Sequence, residues 1–284
     1  MDDTWWRKPE QLDEDQRKIV SLPIDGDYLV IGPPGSGKTN LLLLRASFLV
    51  RSGYANIAVL TFTRVLREFL AAGAANYPFE PERILTFRSW GADLLRAHGE
   101  AVPKGTFNEM RAGMILALKS LASNVGEKAR FDCVLVDEVQ DYQVEEIEVM
   151  RSLADRLFVV GDNNQRIYEA SGAIAKAEEY CGISKELKFH YRNGMAICRL
   201  ADGIMNSADE SMLGTCNYDE AHYPSTVVRH KGKTLEEQVA LAIPQITTQL
   251  QAYPDEWIGV LAPQKDDVSF IFDRLPDCVG WLIR

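Results

Sequence analysis

Lys38 and Thr39 close the stretch Gly32-Pro33-Pro34-Gly35-Ser36-Gly37-Lys38-Thr39, whose spacing is G-x-x-x-x-G-K-[ST]. Those residue types in that order can hold a polyphosphate. Gly35 and Gly37 permit unusual dihedrals and close backbone approach, so successive amides, that of Ser36 among them, can point at phosphate oxygens. Lys38 then neutralises the β/γ charge and the Thr39 hydroxyl ligates magnesium, with Asn40 completing the nucleotide-binding set. The competing reading, a glycine-rich turn that happens to precede a helix, does not account for the flanks. A second set is acidic. The apolar run from Phe131 to Val136 delivers Asp137 and Glu138 at its end. Adjacent positions on a strand face opposite ways, so Asp137 can hold the magnesium hydration shell while Glu138 orients and polarises an attacking water. Helix capping is the alternative, and it is a real one for Asp141.

Further residues suit the same chemistry but are open to plainer readings. Asp13 can cap a short helix that presents Gln16, whose amide donor and acceptor match the adenine edge; a surface helix would look the same. Phe62, Thr63 and Arg64 end an apolar run, where an arginine and hydroxyls suit a phosphate backbone and Phe62 can stack on a base or lie in the core. Ser89 and Trp90 repeat that arrangement, with a core tryptophan as the alternative. In Gly161-Asp162-Asn163-Asn164-Gln165-Arg166-Ile167-Tyr168, Gln165 can sense a γ-phosphate and Tyr168 can face nucleic acid, although Gly and Asn are also ordinary turn residues. Tyr191 can lie against adenine, and Arg192 can reach the γ-phosphate as an arginine finger in cis.

Positioning these groups requires strands that end at the chemistry and helices that follow them. Apolar runs predict strands at 28–31, 57–62, 83–87, 131–136, 156–160 and 187–193. Helical patterns follow at 41–44, 65–72, 92–98 and 108–121. The alternation predicts an α/β fold with a buried parallel sheet. Residues 201–226 read as a connector. Beyond it the pattern is a strand at 227–230, a helix at 235–250, a strand at 257–262 and a short helix at 269–275.

The chain has 284 residues, 46% of them hydrophobic, which suits two domains or one large domain with a smaller element. Its net charge of -10 gives no general attraction to nucleic acid, so any such contact must be locally basic. The five cysteines, at 133, 181, 198, 216 and 278, form no close C-x-x-C pair. They predict a reduced intracellular protein without a thiolate metal site. No apolar run approaches membrane-spanning length and no secretory segment opens the chain, so a cytoplasmic location is expected.

Taken in order, the motifs resemble those of the UvrD/Rep-like branch of superfamily 1 DNA helicases. Gln16 matches the adenine-reading glutamine, GPPGSGKT the phosphate loop, and Leu60 to Arg64 the TFT motif with its basic residue. Thr86 to Trp90 is similar to the TFHS motif with Arg88 in place of histidine, Val136 to Asp141 matches DExxQD, and Gly161 to Tyr168 matches GDxxQ-I-Y. His190 to Asn193 resembles the NYR segment that opens the second motor lobe. The resemblance implies a RecA-like P-loop NTPase lobe over 1–184 with a minimal 91–130 insertion, then a partial second RecA-like lobe over 185–284. It further implies ATP and Mg2+ as cofactors, single-stranded DNA as partner and 3′ to 5′ movement.

Three departures qualify this. The usual large domain between TFHS and DExxQD is reduced to 91–130. The stacking tryptophan after the GDxxQ-I-Y tyrosine is Ala170. The chain ends at Arg284 before the family's last motifs, so the second lobe is expected to be incomplete. Two functions fit: a motor that hydrolyses ATP on single-stranded DNA, or an ATP-dependent switch or assembly subunit of a repair or defence complex. The second would need a protein partner or oligomer to cover the unfinished lobe.

Overall fold

A computed structural model describes residues 6–74, 77, 79–124, 130–162, 172–205, 211–232, 234–254 and 258–275. The chain forms two compact units, 1–225 and 226–284.

The first unit is an α/β fold built on a six-stranded sheet. In chain order its strands are β1 (Tyr28–Ile31), β2 (Ile57–Thr61), β3 (Ile84–Thr86), β4 (Cys133–Val136), β5 (Leu157–Gly161) and β6 (Ile183–Glu186). They lie in the order β3-β2-β4-β5-β1-β6, and every pair is parallel. Helices cover both faces: α1 (Glu14–Val20), α2 (Lys38–Arg51), α3 (Arg64–Ala74), α4 (Phe87–Ala97), α5 (Phe107–Asn124), α6 (Val144–Leu153) and α7 (Ala173–Tyr180); α8 (Met195–Met205) follows β6.

The period-two alternation of strand side chains divides the core in two. Leu29, Ala58, Leu60, Val134, Val136 and Val159 face a cluster completed by α4, α5, α6 and α7, with Trp90, Leu118 and Met150 among its members. Tyr28, Val30, Val59, Leu135, Phe158 and Val160 face the opposite cluster, filled by α1, α2 and α3 through Ile19, Leu41 to Leu44 and Leu70. Burial on both faces is why these strands read as continuous apolar runs.

Several expected elements differ. The strand expected over 83–87 stops at Thr86 because Thr86 and Ser89 form a capping box: Ser89 N donates to Thr86 Oγ1 at 3.1 Å and Thr86 N to Ser89 Oγ at 3.0 Å. Helix α4 therefore starts at Phe87. The strand expected over 187–193 is displaced upstream to β6, whose four residues are all exposed and lack an apolar signal. After β6 the chain leaves the ladder, tied by Leu187 N to the Ile31 carbonyl at 2.8 Å and by Tyr191 N to the Gly35 carbonyl at 3.0 Å. The expected connector begins inside α8.

In the second unit, α9 (Leu235–Ala252) is capped by Thr234, which accepts from Glu237 N at 3.2 Å. A shorter helix, α10 (Lys265–Phe272), follows. Of residues 227–230 and 257–262, expected as strands, the described ones carry no ladder pairing. A lone extended segment without a neighbour has no hydrogen bonds to make it a strand. Among the described residues no helix is long and apolar enough to cross a membrane.

Candidate nucleotide-binding site

The site is assembled at the carboxyl ends of β1, β4 and β5. From β1 the chain enters the loop 32–37, where Gly35 (φ +81°) and Gly37 (φ +87°) occupy the left-handed region that side chains disfavour. A Cβ on Gly35 would also stand 3.0 Å from Arg192 Cβ. Helix α2 starts at Lys38 with its unpaired amides toward the loop. Lys38 is buried, and its Nζ donates to the Gly32 and Pro33 carbonyls at 2.7 and 3.1 Å. Burial lowers its pKa, against the opposing pull of Asp162, Glu138 and Asp137. Ser36 Oγ is buried without a hydrogen-bond partner, and Asn40 Nδ2 donates to Tyr77 Oη at 2.8 Å.

Strand β5 lies between β1 and β4, which separates the loop from the acidic tip by one strand width. Across that gap Thr39 Oγ1 donates to Asp137 Oδ2 at 3.0 Å. Asp137 is fully buried; burial, and then the charge of Glu138, push its carboxyl up to about 7, while Thr39 and Lys38 act in the other direction. A buried carboxylate beside a hydroxyl, with its charge incompletely balanced, suits a divalent cation with oxygen ligands. Thr39 and Asp137 therefore fit magnesium.

Glu138 has φ 50° and ψ 54°, the one positive φ outside glycine among the described residues. That strained backbone turns its carboxylate away from the strand line into the pocket lined by Pro34, Gly35, Lys38, Thr39 and Arg192. Gln140 holds it there, donating from Nε2 to Glu138 Oε2 at 2.7 Å while its Oε1 accepts from Asp162 N at 3.1 Å. Gln140 thus clips the tip of β4 to that of β5. Gly161 makes the approach possible, since a Cβ there would fall 2.5 Å from Val139 Cγ1 and 2.9 Å from Gln140 Oε1. Sequence reasoning used the glutamine only as part of a motif match and gave it no role.

A second layer comes from α1 and from the segment after β6. Gln16 sits in a capping box with Asp13, and its Nε2 donates to the Ser36 carbonyl at 2.9 Å. Its amide is therefore docked on the phosphate loop. Tyr191 Oη donates to the Asp13 carboxylate, and burial followed by that bond pushes the phenol up to about 12. Arg192 lines the pocket with Lys38 and Glu138, as does Trp6, whose ring packs 4.9 Å from Phe69.

The residues expected to meet nucleic acid lie in different settings. Thr63 and Arg64 are exposed at the start of α3, where Thr63 Oγ1 accepts from Leu66 N at 3.1 Å. Phe62 is half-buried between Tyr142, with centroids 5.6 Å apart, and the Arg111 guanidinium 5.3 Å over its ring. Arg111 also grips buried Glu146 through two bonds of 2.8 and 2.5 Å, tying α5 to α6 beneath the acidic tip. Ser89 is used in its capping box. Trp90 is corrected: it is 1% exposed and wedged between Phe87 and Phe131 at 5.8 and 5.7 Å, so it is a core residue and no base platform. Gln165 and Tyr168 lie outside the described residues.

A parallel sheet with a glycine loop at one strand tip and a clipped acidic pair at another defines a P-loop nucleotide-binding domain. The chain belongs to the AAA domain family, whose sequence model matches residues 16–171, from the docked glutamine through the acidic tip. No curated protein matches the chain. Among solved structures it is similar to the Pyrococcus furiosus Hef helicase domain, at 14% identity and a TM-score of 0.39, covering 90% of this chain and 51% of that one. It is also similar to the PRRSV helicase, at 14% identity and a TM-score of 0.33, covering 66% of this chain and 35% of that one. The chain thus spans about half the length of the first and about a third of the second.

Proposed function

We propose that this chain is the ATP-binding and ATP-hydrolysing motor domain of a 3′ to 5′ helicase or translocase acting on single-stranded DNA in the cytoplasm. The observation that carries the ATPase reading is the convergence of Lys38, the Thr39–Asp137 pair and a Glu138 aimed by Gln140 at one pocket. Thr39 and Asp137 would hold magnesium, which would supply positive charge to offset that of the phosphates. Lys38 exchanges its two loop carbonyls for phosphate oxygens. Glu138 orients water in line with the bond to the leaving ADP, and Arg192 stabilises charge on the transferring phosphoryl group. Tyr191 lies against the adenine. Phe62, Thr63, Arg64, Ser89 and Tyr168 supply the nucleic-acid side.

A second reading is favoured by the second unit, where Val228 and Leu261 are 72% and 95% exposed and the described residues form no sheet. An incomplete second RecA-like lobe, with the first lobe at 1–184 and the second at 185–284, would leave apolar groups for a protein partner or a second copy to cover. The chain would then act as an ATP-dependent switch or assembly subunit in DNA repair or defence. Steady-state ATPase with and without single-stranded DNA separates the two, using Lys38→Ala and Glu138→Gln as controls. Stimulation by DNA that both changes abolish supports the motor. Tight ATP binding with negligible turnover on DNA overturns it in favour of the switch.

A further inference from the structure

A second constellation of chemically competent side chains lies behind the segment that carries Tyr191 and Arg192. His190 and Cys198 are completely buried, Cys216 is half-buried, and one ligand atom from each lies within 4.8 Å of the others. His190 Nε2 is 3.7 Å from Cys198 Sγ. In a tetrahedral zinc site, zinc–sulfur and zinc–nitrogen bonds of about 2.3 and 2.1 Å place nitrogen about 3.6 Å from sulfur and the two sulfurs about 3.8 Å apart. All three edges, each within 4.8 Å, are within reach of that geometry by side-chain rotation.

The three residues come from separate segments that the backbone fixes together. His190 N donates to the Thr215 carbonyl at 3.1 Å and Asn217 N to the His190 carbonyl at 2.8 Å, which sets His190 beside Cys216. Cys198 projects from the first turn of α8. Hydrogen bonding within the cluster is uneven. Both thiols point at one acceptor, the Asn193 carbonyl, each at 3.4 Å, while His190 Nε2 donates to the Met212 carbonyl at 2.7 Å and leaves the ring's lone pair on Nδ1, which is buried with no partner. Buried polar atoms are ordinarily satisfied, so an unused imidazole lone pair beside two thiols that share one carbonyl points to a missing group that takes lone pairs.

We propose that His190, Cys198 and Cys216 form a Cys2His zinc site, with water in the fourth position. Imidazole nitrogen and two thiolates are the donor set that selects a borderline-soft d10 cation over magnesium or calcium. Binding releases one proton from each thiol and leaves a site with no net charge from the ion and its ligands. The ion staples the segment after β6 to α8 and to the turn at 211–217, one residue away from Tyr191.

The test is metal analysis of full-length protein purified from zinc-supplemented cells without a metal-binding tag. About one zinc per chain is expected, falling at least tenfold in Cys198→Ser and in Cys216→Ser and unchanged in Cys278→Ser. Because either serine variant can misfold, stripped wild-type protein is also titrated with cobalt. One equivalent should give thiolate-to-cobalt charge-transfer absorption and tetrahedral d–d bands, and zinc should displace it. Zinc below a tenth of an equivalent with no cobalt charge transfer overturns the proposal. So does zinc that persists in both variants, or a Cys198–Cys216 disulfide in protein prepared with reductant.

Discussion

The proposed nucleotide site has two halves of different construction. One half rests on the tips of β1, β4 and β5, which lie inside the sheet and are covered on both faces, so Lys38, Thr39, Asp137 and Glu138 are positioned by buried backbone. The other half, Tyr191 and Arg192, hangs from the exposed edge strand β6 and is joined to the first by a few bonds, chiefly Tyr191 N to Gly35 and Tyr191 Oη to Asp13. Elements with many buried contacts open only on near-global unfolding, whereas an edge segment opens locally. A nucleotide can therefore bind a preformed cradle on one side and recruit the other. That asymmetry suits a device whose conformation follows its ligand.

Breaking the interior half should have the largest consequences. Glu138→Gln is expected to lower kcat by about 10³-fold with ATP affinity retained, because the amide cannot polarise water. Equal kcat in single-turnover assays would exclude Glu138 from that role. Arg111→Ala tests the support beneath the tip. Glu146 is 2% exposed, and removing its bidentate partner leaves a buried charge, so a loss of about 3 kcal/mol in urea unfolding is expected. Unchanged stability would mean that Glu146 finds another donor.

The edge half should respond in kinetics while stability is nearly untouched. Arg192→Ala is expected to reduce kcat about 10²-fold with a thermal midpoint within a degree or two of wild type. A large fall in that midpoint would instead make Arg192 a structural residue. Within the interior half, Gln140 clips β4 to β5. Gln140→Ala should lower kcat about tenfold, since Glu138 then has no partner to fix its rotamer. A change in ATP affinity alone would place Gln140 in binding rather than in aiming the base.

The same division explains what could be read in the sequence. Strands β1, β2, β4 and β5 are legible because burial on both faces makes each an apolar run. The phosphate loop and acidic tip are legible because their chemistry fixes spacing. Strand β6 was not, since its residues Ile183–Glu186 are all exposed and its pairing is a tertiary matter. Trp90 shows the ambiguity of aromatics: a residue that could stack on a base is, in the fold, wedged between Phe87 and Phe131. The cysteine cluster escaped because Cys198 and Cys216 lack C-x-x-C spacing and meet His190 only through a turn. Gln16 illustrates the intermediate case, where the residue is found but its amide is docked on the loop.

The smallest effect expected concerns Asp137, and it sharpens the comparison because no group of the edge half should share it. With its carboxyl pushed up to about 7 from an ordinary 3.8, metal-free folded protein holds a proton that the unfolded chain has lost between those values. Folding stability should therefore fall as pH rises through that window and level off above it, the reverse of a salt-bridged aspartate. A change on the order of 1 kcal/mol, about one pKa unit, is expected. Urea midpoints of metal-free protein between pH 5 and 8 measure it, and Asp137→Asn should flatten that decline. Magnesium with nucleotide should flatten it as well, since binding requires the carboxylate and opposes its protonation. A decline that survives Asp137→Asn would assign the pH dependence to other groups and leave Asp137 ionised in the empty site.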